Sequence, residues 1–186
     1  MNVKKTEPTL NNVSLRFMPI LIRFVKKTDR ILEFGSSTGH MSFILAKDGY
    51  NIGLLDIRKD PICEAVETFS YYNIKANFYN EDFLLHNSEY EFIFNSGLLQ
   101  CLTDSDREKF IKHSSKISKK LLLFYPLRDK IIPQKDLSKI NGVEGCKEYP
   151  TNSICKIVSH YFNNIERGII SNIYDSDCDF EWIYGR

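Results

Sequence analysis

Apolar residues are distributed along this chain in two alternating rhythms. Short continuous runs at 31–34, 52–55, 74–79, 92–94 and 121–125 are rich in branched and aromatic residues and predict strands buried on both faces. Between them the spacing changes to that of a helix. Met41, Ile44 and Leu45 share one face of a segment that stops at Gly49, a C′ glycine. Asp60 and Pro61 read as an N-cap and first helical position. Ile62, Ala65, Val66 and Phe69 then follow at i, i+3, i+4 and i+7. Thr103-x-x-Asp106 reads as a capping box opening a helix with Phe110, Ile111 and Ile117 inward. Strands alternating with helices predict an α/β domain with a parallel sheet.

The ends of the chain read differently. Residues 1–13 are polar and predict a flexible segment, or a flap over a site, extending to about residue 18. Pro19 opens a short helix with Leu21, Phe24 and Val25, closing near Lys27. Pro126 ends the fifth strand. Residues 127–149 have no period and predict a cap loop at a strand tip. A helix resumes at Thr151, with Ile154, Ile157, Val158 and Tyr161 at core spacing. Strands near 165–173 and 180–184 close the chain, joined by an acidic turn of Asp175, Asp177 and Asp179.

Composition narrows the class without naming a function. The 186 residues, 42 % of them hydrophobic, suffice for one domain with its own core, 1–186. A formal net charge of +1 gives no field that would favour nucleic acid or an anionic membrane. The basic run Lys112, Lys116, Lys119 and Lys120 reads as a solvated helix face, and the acidic turn as solvated carboxylates. Five cysteines without a C-x-x-C pair, and no signal peptide, predict a reduced, cytoplasmic setting with mostly buried thiols and no metal.

Chemistry concentrates at 31–39, ILEFGSSTG. A strand, a turn bounded by Gly35 and Gly39, and a helix make a corner where a ligand can approach backbone N–H groups. The second strand ends at Asp56, about twenty residues past Gly35, where an acid can accept both hydroxyls of a ribose. A dinucleotide would need a second glycine where Ser37 stands, and its pyrophosphate would meet the negative Glu33.

This stretch resembles motif I of the class I S-adenosylmethionine-dependent methyltransferases, with Ser37 in place of a usual glycine. The segment 91–104, EFIFNSGLLQCLTD, is similar to the same family's fourth strand and its exit, with Gln100 and Cys101 where a His-His pair often stands. The resemblance covers about residues 20–186. It implies a three-layer Rossmann-like α/β sandwich, with a mostly parallel seven-stranded sheet and a C-terminal antiparallel pair, and S-adenosyl-L-methionine as cofactor. Gly35, Ser36, Ser37 and Gly39 would face the cofactor's amino-acid part, with Glu33 orienting its ammonium. Asp56 and Ile57 would take the ribose side. Asp82 and Phe83 would take the adenine, unless Asp82 is a turn aspartate capping backbone N–H groups. Asn95 and Ser96 would lie against the ammonium.

A general base is not evident. His40, His86, His113 and His160 all read as structural or solvated, His113 as exposed. Tyr125 at the fifth strand tip and Gln100 are the candidates for positioning an acceptor, with Cys101 lining its pocket. The function this implies is transfer of a methyl group from the sulfonium to an O or N nucleophile of a small molecule. A macromolecular methyltransferase is the alternative, disfavoured where Asn95-Ser96-Gly97-Leu98 replaces an N-P-P-Y-type tetrapeptide. A catalytically inactive S-adenosylmethionine-binding partner subunit is the other alternative, and assembly as a homodimer or with a partner subunit stays open.

Overall fold

A computed structural model describes residues 6–127, 152–171 and 179–186. Of the predicted cap loop, Leu127 ends a strand and 128–149 lie outside the described residues, as does most of the acidic turn. Seven strands form one sheet: β1 (Arg30–Phe34), β2 (Asn51–Leu55), β3 (Asn77–Tyr79), β4 (Phe92–Ser96), β5 (Leu121–Leu127), β6 (Ile165–Ile170) and β7 (Asp179–Gly185). Their spatial order is β3-β2-β1-β4-β5-β7-β6. The first five are parallel, and β7 pairs antiparallel with both β5 and β6. This is the three-layer, mixed seven-stranded architecture that the hydrophobic pattern and the resemblance implied.

The helices divide between the two faces. α1 (Asn12–Phe24), α2 (His40–Lys47) and α3 (Lys59–Tyr71) cover one face, where Phe17, Leu21, Phe43 and Phe69 pack on Ile31, Leu54, Phe92 and Phe124. α4 (Asp104–Ile117) and α5 (Ser153–Ser159) cover the other, where Phe110, Ile111, Ile154 and Val158 pack on Phe34, Ile93, Leu121 and Ile183. The split follows the two-residue period of the strands. Leu121, Leu123 and Tyr125 face α4 and α5, while Leu122 and Phe124 face the other side.

Several boundaries differ from expectation, each for a local reason. α1 begins seven residues before Pro19, because the Asn11 side chain accepts the Ser14 N–H at 2.8 Å and Val13, Phe17, Met18 and Leu21 form a buried stripe. Pro19 sits inside the helix on its solvent face with Leu15, so the carbonyl it cannot serve lies on the wet side. α3 is capped at Arg58, two residues before Asp60. Asn95 and Ser96 belong to β4 rather than to the turn; Gly97, at φ 93°, makes the turn. β5 runs through Pro126, which pairs with Phe180 beyond the last β4 partner, Phe124. β3 and β6 are shorter than the apolar runs suggested.

Candidate active site

The strand order reverses between β1 and β4, which lie side by side although two strands, β2 and β3, separate them in sequence. Crevices at the carboxyl ends of strands beside such a reversal are where α/β sheets take ligands. Four segments meet there: the 35–39 turn after β1, the 56–58 corner after β2, the 80–86 loop after β3 and the 95–101 segment after β4.

The first turn is built from left-handed residues. Gly35, Ser37 and Gly39 have φ of 64°, 50° and 71°. Ser37 therefore adopts, with a side chain, the conformation a glycine adopts without cost. The glycines are also required by their neighbours. A methyl at Gly39 would lie 2.1 Å from Leu54 Cδ2, and one at Gly35 would lie 3.0 Å from Leu98 Cβ. Part of the glycine signal is thus internal packing. Gly39 N–H donates to the Ser36 carbonyl at 2.8 Å, and the buried Ser36 ties its own N–H to Leu55.

Asp56, almost fully buried, is the hub of the second corner. Its carboxylate accepts the Ser37 N–H at 2.8 Å and the Arg58 N–H at 2.9 Å, and the Arg58 guanidinium forks onto both oxygens at 3.2 Å. That hydrogen bonding holds Arg58 above its ordinary pKa. Asn80 Nδ2 donates to the carbonyls of both Asp56 and Ile57 at 3.0 Å, joining the third corner to the second. Ile57 leaves its side chain exposed beside this hub.

Asp82 caps its own turn, accepting the Leu84 N–H at 2.9 Å, as the turn reading allowed. Phe83 packs edge-on against Phe34 and Phe110. Behind it, the buried His86 pairs through Nδ1 with Glu81 at 2.6 Å, and its carbonyl contacts His113 Nε2 at 2.7 Å. His113 is therefore buried, not exposed, because α4 lies directly under this loop. His40 and His160 are exposed.

Glu33, on the α2 face of β1, is buried and accepts the Ser42 hydroxyl at 2.5 Å. Burial pushes its carboxyl up to about 7, with the hydrogen bonds from Ser42 opposing. Asn95 is fully buried. Its amide donates to the Phe34 carbonyl at 2.8 Å and its oxygen accepts the Leu98 N–H at 3.1 Å. Ser96 beside it is half-buried.

The two residues named for acceptor positioning separate. Gln100 lies in a single 3-10 turn, Leu99–Cys101, folded toward Gly97. Its Oε1 is buried with no hydrogen-bond partner among the described residues. Tyr125 is fully buried toward α4 and α5, and its hydroxyl donates to the buried Glu181, which Arg167 contacts at 3.4 Å. Burial and that carboxylate raise the phenol far above its ordinary range. Tyr125 is a core residue with an engaged hydroxyl. The Cys63 and Cys101 thiols are exposed rather than buried, because their helical positions face outward.

Arg58, Asn80, Ser42 and Arg107 carried no sequence signal. Arg107 is buried and donates to the carbonyls of Leu99 (2.9 Å) and Leu102 (2.5 Å), fixing the Gln100 turn. Only three-dimensional proximity reveals such contacts.

Strand order, the antiparallel β7 and the glycine corner define the class: the fold is that of the class I S-adenosylmethionine-dependent methyltransferases. Comparison with solved structures bears this out. The magnesium protoporphyrin IX methyltransferase of Synechocystis, solved with S-adenosylmethionine bound, superposes with a TM-score of 0.72 at 14 % identity, covering 93 % of this chain and 78 % of its own. A methyltransferase from Methanosarcina mazei gives 0.73 at 16 %, covering 90 % and 97 %. In sequence, the carboxy-S-adenosyl-L-methionine synthase of Nautilia profundicola is 31 % identical over 132 residues, which is 69 % of this chain. The match spans only 56 % of that relative's length. No protein-family model matches the chain.

Proposed function

We propose that this chain binds S-adenosylmethionine and transfers its methyl group to an O or N nucleophile of a small molecule. The observation that carries the reading is the Ser37–Asp56 contact. A left-handed glycine turn at the end of β1 is bonded to a buried acid at the end of β2, beside the reversal between β1 and β4. A carboxylate there can accept a ribose diol, and the Gly35–Gly39 turn lets the amino-acid end of the ligand approach the backbone. The solved neighbours with bound S-adenosylmethionine support the same assignment.

The cofactor supplies an electrophilic methyl on a sulfonium, and the protein's task is to align a lone pair with it and exclude water. Asp56 and Ile57 would hold the ribose side, Phe83 the adenine side on the loop that Asp82 caps, and the 35–39 turn with Asn95 and Ser96 the amino-acid end. Gln100 is the acceptor-positioning residue, because its buried Oε1 can take a hydrogen bond from an acceptor N–H or O–H. Tyr125 has no part in this step, since its hydroxyl is committed to Glu181.

The relative's name favours one second reading, in which S-adenosylmethionine is itself the substrate: its methyl carbon loses a proton and bonds to the carbon dioxide that a decarboxylating carboxylate co-substrate releases, giving a carboxylated form. One assay separates the two. S-adenosylmethionine is incubated with the protein and a panel of phenols, carboxylates and amines, and the products are resolved by mass. Formation of S-adenosylhomocysteine with a methylated acceptor supports transfer; a carboxylated S-adenosylmethionine supports the second reading.

A further inference from the structure

The carboxylate of Asp56 has no acceptor position to spare. Oδ1 accepts from the Arg58 N–H at 2.9 Å and from Arg58 Nε at 3.2 Å; Oδ2 accepts from the Ser37 N–H at 2.8 Å and from Arg58 Nη2 at 3.2 Å. Two donors per oxygen fill an ionised carboxylate. These four donors are of two kinds. The two N–H groups belong to backbone fixed by the glycine turn and by the start of α3. The other two belong to a side chain that is 47 % exposed, resting on a carboxylate that is 5 % exposed. Arg58 also occupies the N-cap of α3, where a short side-chain oxygen normally serves the helix. It makes no cap bond and turns back onto Asp56 instead.

We propose that the Arg58 guanidinium is a displaceable stand-in for the ribose diol of the nucleoside ligand, so that binding is an exchange at Asp56. This rests on the assignment of Asp56 to the ribose. The fork presents two donors to the two carboxylate oxygens, and a vicinal diol presents two O–H donors to the same pair. While the fork is in place it compensates a buried negative charge, which would be costly alone. It also blocks the diol. Ligand entry therefore requires the guanidinium to leave for solvent, which its exposure allows, while the Ser37 and Arg58 N–H groups keep the carboxylate aimed. The Arg58 side chain lowers the apparent affinity for every ribose-bearing ligand and makes occupancy conditional on a diol that can replace it.

The test is calorimetric titration of S-adenosylhomocysteine into the wild-type chain, R58A and R58K. This ligand has no net charge at neutral pH, so long-range attraction to the altered site contributes little. Lysine keeps the charge but cannot fork. The proposal expects R58A to bind about three- to tenfold more tightly than wild type, with R58K between them. Equal or weaker binding in R58A, with wild type binding normally, overturns the stand-in and leaves the ribose assignment intact. No binding to any of the three overturns the ribose assignment itself, and the stand-in with it.

Discussion

Asn95 on β4 donates its side-chain amide to the carbonyl of Phe34 on β1 at 2.8 Å, across the point where strand order reverses. The same side chain accepts the Leu98 N–H at 3.1 Å. One fully buried amide thus holds β1 and β4 together at their tips and sets the Gly97 turn that leads to Gln100. The exit of β4 is shaped by a side chain, not by the turn sequence alone.

Replacing that amide tests its structural weight. Asn95→Ala leaves the Phe34 carbonyl and the Leu98 N–H without their partner in a buried site, which should cost about 2–4 kcal/mol in urea unfolding. A loss below about 0.5 kcal/mol would mean that water or neighbouring groups satisfy both and that the clamp is dispensable.

Glu33 should make stability depend on pH in a particular direction. Its carboxyl is raised from 4.5 to about 7 by burial, so the folded state holds a proton that the unfolded state has already released. This contribution is full below about pH 4.5, falls as pH rises to about 7, and stays lost above it. Glu33→Gln keeps the Ser42 hydrogen bond and removes the titration. The variant should match wild type near pH 4.5 and exceed it near pH 8 by roughly 2–3 kcal/mol. Parallel stability curves for the two proteins between pH 4.5 and 8 would contradict the assignment.

Tyr125 should behave as a core residue. Tyr125→Phe leaves Glu181 without its hydroxyl donor and, among the described residues, with only the longer Arg167 contact, so thermal stability should fall by about 1–3 kcal/mol. S-adenosylhomocysteine affinity should not change. A large loss of affinity at unchanged stability would return Tyr125 to the ligand site.

The sheet and the first two corners of the candidate site were legible because their signals are local. Apolar runs marked β1, β2, β4 and β5, glycines with positive φ marked the turn, and an acid at a strand tip marked the hub. What was hidden depends on packing between distant segments. Pro19 looked like a helix start because a proline's missing N–H is cheapest there, yet the buried stripe from Val13 to Leu21 outweighs the one lost bond. His113 looked exposed among lysines, and only the position of the 80–86 loop shows it buried. Arg58 carried no signal in the sequence, and its place in the site needs the fork onto Asp56 to be seen. Tyr125 looked like a strand tip because Pro126 follows it, yet β5 continues to Leu127 along β7, and the alternation of the strand turns Tyr125 into the α4–α5 layer.

The proposed ribose contact at Asp56 is the centre of the functional reading, and one titration tests it most directly. S-adenosylhomocysteine and NAD are each titrated into the wild-type chain and Asp56→Ala. The account predicts that S-adenosylhomocysteine binds wild type and that Asp56→Ala weakens it by roughly 2 kcal/mol while the fold persists, with no binding of NAD to either. No binding of S-adenosylhomocysteine to wild type, or affinity unchanged in Asp56→Ala, would contradict it.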